Sequence, residues 1–177
     1  MTTREDRFQR FALDVYGAEG VPFAAVLLQD RCDVDVNVLL LAAFVGSAQG
    51  ASFGRAEAEC ARARTQQWQH EVVRPLRALR TRLKDGPAPV PTPATAALRD
   101  QVKAAELDAE MIELNELSDF ASCVDVSPAP GDSAERATAA MLAVVRLSAA
   151  REPSADERNA ITIIASAVAR FDERQTD

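Results

Sequence analysis

The sequence predicts an all-α protein, an irregular bundle of about six to eight helices around a central buried helix near residues 36–48. Composition favours this class, because aromatic residues make up only 5% of the 177 residues and there are only 7 glycines. A β-sandwich or barrel normally uses more of both, in its strands and in its turns. In addition, apolar residues recur at helical spacing behind several helix-start patterns.

The chain begins with two predicted helices. Thr2 and Glu5 form a capping-box pattern, so a helix should follow to about Tyr16. One face of this helix carries the apolar residues Phe8, Phe11, Ala12 and Val15. After a turn at 17–20, Pro22 suits the first turn of a second helix. That helix carries the apolar residues Phe23, Val26 and Leu27.

The most apolar segment of the chain predicts the central helix. Asp33 or Asp35 can cap it, and it should run to about Gln49. Its apolar side chains surround it almost completely, which is typical of a helix buried in the middle of a bundle. The alternation between Val34 and Val38 also fits a strand, and this alternative stays open.

The middle of the chain predicts a long helical stretch and a connector. Ser52 can cap a helix over 53–84, but Pro75 lacks an amide hydrogen and clashes with the preceding turn. We therefore expect either two helices, about 53–72 and 75–84, or one sharply bent helix. The proline-rich segment 85–94 should form a stiff connector, followed by a long helix over about 95–121.

Two more helices are predicted at the C-terminal end. Asp132 with Glu135 is a capping box for a helix to about residue 150, and Ser154 with Glu157 begins the last helix. Its apolar stripe consists of Ile161, Ile164, Ala165, Val168 and Phe171. We expect residues 1–122 to form the helical core and residues 123–177 to pack as a helical pair on the same domain.

Charge and hydropathy exclude several classes of protein. Lys and Arg total 20 against 27 Asp and Glu, a net charge of −7, which argues against nucleic-acid binding and electrostatic docking on membranes. The longest apolar run, Val38 to Val45, is too short to insert across a membrane. The N-terminal residues lack the apolar stretch of a secretion signal, and the three cysteines are widely spaced. We therefore expect a cytoplasmic protein with reduced thiols.

Two neighbouring segments carry opposite charge. Residues 55–84 have a net charge of +5 and residues 98–119 a net charge of −5. This predicts an antiparallel helical hairpin with ion pairs between its helices. Its carboxylate row is Glu106, Glu110 and Glu113, which helical spacing places on one face. Alternatively, the basic side chains bind a phosphate or nucleic acid, using Arg74, Arg77, Arg80 and Lys84.

A polar cluster lies just before the central helix. It contains the amides and carboxylates of Gln29, Asp30, Asp35 and Asn37. These oxygens could form a pocket for a cation or a polar ligand, although their spacing is not that of an EF-hand. The other interpretation is structural, because Asp and Asn are preferred helix caps.

Two blocks of sequence carry a family resemblance. One combines Leu28-Gln29-Asp30 with Asp35-Val36-Asn37-x-Leu39-Leu40, and the other is Pro75-Leu76-Arg77-x-Leu79-Arg80-x-Arg82-Leu83-Lys84. With them, the chain resembles, over about residues 8–117, a bacterial family known only as a conserved domain of unknown function. The resemblance implies a bacterial cytoplasmic helical protein and carries no activity, cofactor or catalytic residue with it.

The pattern of chemical groups favours a function without catalysis. His70 is the single histidine, and no nucleophile–base pair, metal-ligand spacing or phosphate-binding loop is recognisable. We expect an accessory protein that presents helical faces to a protein partner or to a second copy. The alternative, which leaves catalysis and cofactors undecided, is a helical protein that binds a small molecule or metal. It would use Asp30, Asp35 and Asn37 together with Arg77, Arg80, Glu106 and Glu110.

Overall fold

The computed structural model describes residues 4–86, 92–124 and 127–176, and these contain eight α-helices. They are α1 (Arg4–Tyr16), α2 (Val21–Cys32), α3 (Val36–Ser47), α4 (Arg55–Trp68), α5 (Arg74–Asp85), α6 (Thr92–Cys123), α7 (Ser133–Ala149) and α8 (Ala155–Thr176). The described residues form no strand, only an isolated bridge between Ala51 and Pro128. The all-α prediction is therefore confirmed, and the strand considered for residues 34–38 is wrong.

The helices belong to two compact units. Unit 1 comprises Met1–Arg62 and Leu117–Asp177, and unit 2 comprises Ala63–Glu116. The boundaries fall inside α4 and α6. In unit 1, α7 and α8 pack on the N-terminal helices, with α7 against α3 and α8 against α2.

Helix α3 is the centre of unit 1. Asp35 is its N-cap, and the carboxylate accepts hydrogen bonds from the amides of Asn37 at 2.9 Å and Val38 at 3.4 Å. Every residue from Val38 to Ser47 is buried, as the predicted central helix requires. The rings of Phe8 and Phe11 on α1 lie 5.4 and 5.2 Å from that of Phe44, so α1 and α3 share an aromatic core.

Helix α2 buries a different face from the one that its largest side chains suggest. Pro22 lies in its first turn, as predicted. Phe23 and Val26, however, are exposed, and the buried face is formed by Val21, Ala24, Ala25, Leu28 and Cys32. Small side chains on this face allow a close approach to α8.

Pro75 does not break the helix in which it lies. A π-helical segment, Gln69–Val73, joins α4 directly to α5, and the Arg74 amide donates to the carbonyl of Gln69, five residues back. This wider turn leaves room for the ring of Pro75, which would clash with a regular α-helical turn. Pro75 also has no amide hydrogen to donate to the helix. The predicted cap at Ser52 is also wrong, because α4 begins at Arg55 and the Glu57 carboxylate binds the Gly54 amide at 2.8 Å.

The predicted starts of the last two helices are confirmed. Asp132 and Glu135 form a reciprocal capping box at α7. At α8, the Ser154 amide donates to Glu157 at 2.7 Å, and the Glu157 amide donates back to the serine hydroxyl at 3.3 Å. The long helix α6 begins three residues earlier than predicted. The predicted cap at Thr2 and residues 87–91 of the predicted connector lie outside the described residues.

Among the described helices, none has by itself the length and apolar character needed to cross a membrane. A bent pair, Arg7–Tyr16 with Val21–Cys32, meets the criteria of length and composition when the two are taken together, with a 95° bend between them.

Candidate functional site

The four predicted charged residues of unit 2 come together as an Arg–Glu cluster (Arg77, Arg80, Glu106 and Glu110). Arg77 donates to Glu106 at 3.0 Å and to Glu110 at 2.6 Å. Arg80 binds both carboxylate oxygens of Glu106, in one of the two bonds at 3.2 Å. Helical spacing explains the arrangement, because residues three or four apart lie on one face of α5 and of α6.

The two carboxylates of this cluster differ electrostatically. Burial alone would raise the pKa of Glu106, but hydrogen bonds from Arg80 and Arg77 outweigh it and hold the pKa below its ordinary value. Burial raises the pKa of Glu110, and repulsion from Glu106 adds to this effect. The hydrogen bond from Arg77 lowers the pKa but does not outweigh them. The charged groups of the cluster are therefore paired with one another, and these ion pairs join α5 to α6.

The rest of the hairpin confirms the predicted antiparallel pairing. Arg64 pairs with Glu116 at 2.6 Å, and Gln69 donates to Glu113 at 2.6 Å. At the other end, the Thr95 hydroxyl donates to the carbonyl of Leu83 at 3.2 Å. Partners thus run in opposite directions along the two helices, so the opposite charges of the two segments serve to pair them.

Replacing Glu106 with glutamine should lower the free energy of unfolding of unit 2 by about 1–3 kcal/mol near neutral pH, because the residue is buried. Because the folded-state pKa of Glu106 lies below 4.5, its ionised form stabilises unit 2 above that pH. This contribution is lost as the pH falls through the folded-state pKa, so the variant should lose less stability in acid. The single tryptophan, Trp68, lies in unit 2, and its fluorescence during urea unfolding measures the effect.

Glu116→Gln is the matched control for this prediction. Its side chain is 48% exposed, and its partner Arg64 is also largely solvated, so the substitution should change little. If Glu106→Gln keeps the wild-type dependence of stability on pH, Glu106 is not the source of the acid sensitivity.

The polar cluster predicted before the central helix lies in unit 1, in the turn between α2 and α3. Asp35 is engaged as the N-cap of α3, and the backbone carbonyl of Gln29 accepts the amide of Asp33, which has a left-handed conformation with φ 52°. Asp30 is exposed on α2. Within the described ranges, no three His, Cys, Asp or Glu side chains are grouped as a metal site requires. A ligand site at Asp30, Asp35 and Asn37 stays a prediction.

A buried charged group in unit 1 escaped sequence analysis. The Glu157 side chain is 2% exposed and accepts hydrogen bonds from both terminal nitrogens of Arg151, at 2.8 and 2.7 Å. The hydrogen bond from Arg151 holds the pKa of Glu157 well below its ordinary value. Burial, and then Glu157 itself, raises the pKa of the neighbouring Cys32 thiol, which therefore stays protonated and unreactive at neutral pH. Sequence indicated only the capping role of Glu157, because Cys32 lies far away along the chain.

The fold and these sites define a class: an all-α protein whose charged clusters hold helices together. The chain belongs to the family described as Protein of unknown function (DUF2390), whose family model matches residues 7–117. No curated protein and no solved structure matches the chain. The matched region ends within α6, so α7 and α8, which complete the packing of unit 1, lie beyond it.

Proposed function

We propose that this is a non-enzymatic interaction protein of the bacterial cytoplasm that binds a protein partner through α1 and α2. The supporting observation is an exposed apolar set on these helices, the α1–α2 surface. It consists of Leu13, Tyr16, Phe23 and Val26, which are 56%, 40%, 78% and 45% exposed. In the described part of unit 1, these are all of the large apolar side chains that are exposed.

The pairing of these side chains on helix faces supports binding better than their number does. Single exposed apolar residues are ordinary on soluble proteins, whereas grouped ones mark interaction sites. Phe23 and Val26 are three residues apart, as are Leu13 and Tyr16, so each pair shares one face of its helix. Aromatic side chains such as Phe23 are typical anchors at the centre of protein interfaces.

The charges on the same helices suggest the chemistry of the partner. Asp14, Glu19 and Asp30 are exposed on α1, on the turn that follows it and on α2. Arg7, Arg10 and Arg31 are exposed on the same two helices. The partner surface should therefore be apolar at its centre and carry charges of both signs at its edge. This assigns Asp30 to an interface rather than to a ligand pocket.

The thiols support the proposed location. Cys60 and Cys123 are free and exposed. Exposed thiols persist in the reducing cytoplasm and are oxidised readily outside it. The bacterial origin is inferred from the family resemblance.

Replacing Phe23 with serine should abolish recovery of the partner while leaving the fold intact. The side chain is 78% exposed and contributes little to the core, so the circular dichroism and unfolding midpoint should stay close to wild type. Loss of an interface anchor typically costs about 2 kcal/mol or more, which is roughly a thirtyfold loss of affinity. The measurement is quantitative mass spectrometry of proteins cross-linked to the tagged chain in its native cells.

Leu107→Ser is the matched control, because Leu107 is 52% exposed but lies in unit 2. A specific partner should be recovered with this variant and lost with Phe23→Ser. Recovery of the same proteins with both variants would contradict the proposal. Two further outcomes would reassign the surface: self-association of the purified chain that Phe23→Ser abolishes, or sedimentation with lipid vesicles that the same variant abolishes.

A further inference from the structure

A cleft in unit 1 shares no residue with the α1–α2 surface, the polar cluster or the Arg151–Glu157 pair. Its volume is about 570 Å³, which lies in the range of pockets that hold small organic ligands. Arg7 and Arg10, one turn apart on α1, stand on one side of it. The remaining lining comes from α7, α8 and the end of α3 and comprises Phe44, Ser47, Ala48, Ser133, Phe171 and Asp172.

No described residue accepts a hydrogen bond from either arginine. In the described part of the chain, neither guanidinium takes part in a hydrogen bond or an ion pair. The acidic residue of the cleft, Asp172, accepts a hydrogen bond from the hydroxyl of Ser133. Both arginines are exposed, and the Asp172 carboxylate in the same cleft is hydrogen-bonded to Ser133, which also lines it. Two positive charges thus face one negative charge in the cleft.

The end of α3 does not require these arginines either. Helix C-terminal carbonyls often recruit cationic side chains. Here the carbonyls of Phe44 to Ser47 all have other donors: the amides of Ala48, Ala51 and Gly50 and the Arg136 side chain. No structural role within the described chain accounts for the two charges.

Ser47 supplies an independent sign of a missing ligand. The residue is only 7% exposed, and its hydroxyl has no hydrogen-bond partner among the described residues. A serine within a helix usually satisfies its hydroxyl by bonding a carbonyl one turn back. A buried hydroxyl that lacks this bond and lines a cleft is placed to bind a ligand atom.

We propose that this cleft binds a small phosphate monoester with an apolar organic part. Arg7 and Arg10 match the two negative charges of the phosphate, and guanidinium groups bind phosphate oxygens in charge-assisted hydrogen bonds. Ser47 donates to the ligand, and Phe44 and Phe171 contact its apolar part. The cleft is much larger than an inorganic phosphate, so the organic part contributes to affinity. This inference does not depend on the α1–α2 surface.

Phenyl phosphate is a suitable probe, followed by amide chemical shifts in two-dimensional NMR of the full chain. Saturable shifts are expected at residues 7–10, 44–48, 133 and 171–172. Inorganic phosphate should bind more weakly, and benzyl alcohol should cause no saturable shift. The variant Arg7→Gln/Arg10→Gln should lose at least about tenfold in affinity, and Ser47→Ala should lose several-fold.

The matched control is Arg55→Gln/Arg62→Gln, which removes the same charge from α4, outside the cleft. It should bind phenyl phosphate like the wild type. The proposal is overturned if the wild type shows no saturable shift, or if the control loses as much affinity as the cleft variant. It is also overturned if the wild type binds vesicles containing phosphatidic acid, through Arg7 and Arg10, but not phenyl phosphate, because the ligand is then a lipid headgroup.

Discussion

Replacing Phe11 with alanine is expected to destabilise unit 1 by about 3–5 kcal/mol, the usual cost of removing a buried phenylalanine. The side chain is fully buried, and its ring lies 5.2 Å from the rings of both Phe44 and Phe171. The substitution therefore leaves a cavity where α1, α3 and α8 meet, and it removes two edge-to-face contacts. Urea unfolding followed by circular dichroism measures the loss.

Phe23→Ala makes the same chemical change at a residue that is 78% exposed. It should cost less than about 0.5 kcal/mol, because no cavity forms at a solvated site. Similar costs for the two substitutions would show that the packing assigned to Phe11 is wrong. The pair also separates the fold from the proposed interface, since Phe23 should matter for the partner and Phe11 for stability.

Gly46→Val is expected to cost about 3 kcal/mol or more, because it forces α3 and α7 apart. A Cβ atom at Gly46 would lie 2.7 Å from the carbonyl oxygen of Arg136 and 2.9 Å from its carbonyl carbon. These are backbone atoms of a helix, so no side-chain rotation relieves the clash. Within a helix, glycine normally lowers stability relative to alanine. Here the close crossing of α3 and α7 reverses that preference.

Gly54→Val is the comparison for this second prediction. A Cβ at Gly54 meets only the flexible carboxylate of Glu57, at 3.4 Å. The position precedes α4, where valine is a poor cap, so a cost of about 1 kcal/mol or less is expected. Thermal or urea unfolding of both variants gives the answer, and equal costs would mean that the α3–α7 crossing is not tight.

The local features of the fold could be predicted because they are encoded within one helical turn. Asp35 caps α3 with amides two and three residues ahead of it, and Ser154 and Glu157 bond across three residues. The ion pairs of unit 2 could be predicted for a related reason. Segregated charge on two consecutive segments favours one antiparallel pairing whatever the remaining packing is.

The cleft and the buried carboxylate could not be predicted in this way. Arg7, Ser47 and Asp172 come from three distant parts of the chain, and no pattern within any of them indicates a shared site. Glu157 and Cys32 are likewise brought together only by the packing of α2 on α8.

The helical class, most helix boundaries, the buried α3 and the pairing of α5 with α6 could be predicted from the amino-acid sequence, because they follow from periodicity, caps and charge acting over short distances. The buried side chains of α2, the need for glycine at position 46 and the lining of the cleft depend instead on how the helices pack. Burial depends on the shape of the neighbouring helix. Alanines of α2 accordingly lie in the core while Phe23 is exposed, although hydrophobicity alone would favour the reverse.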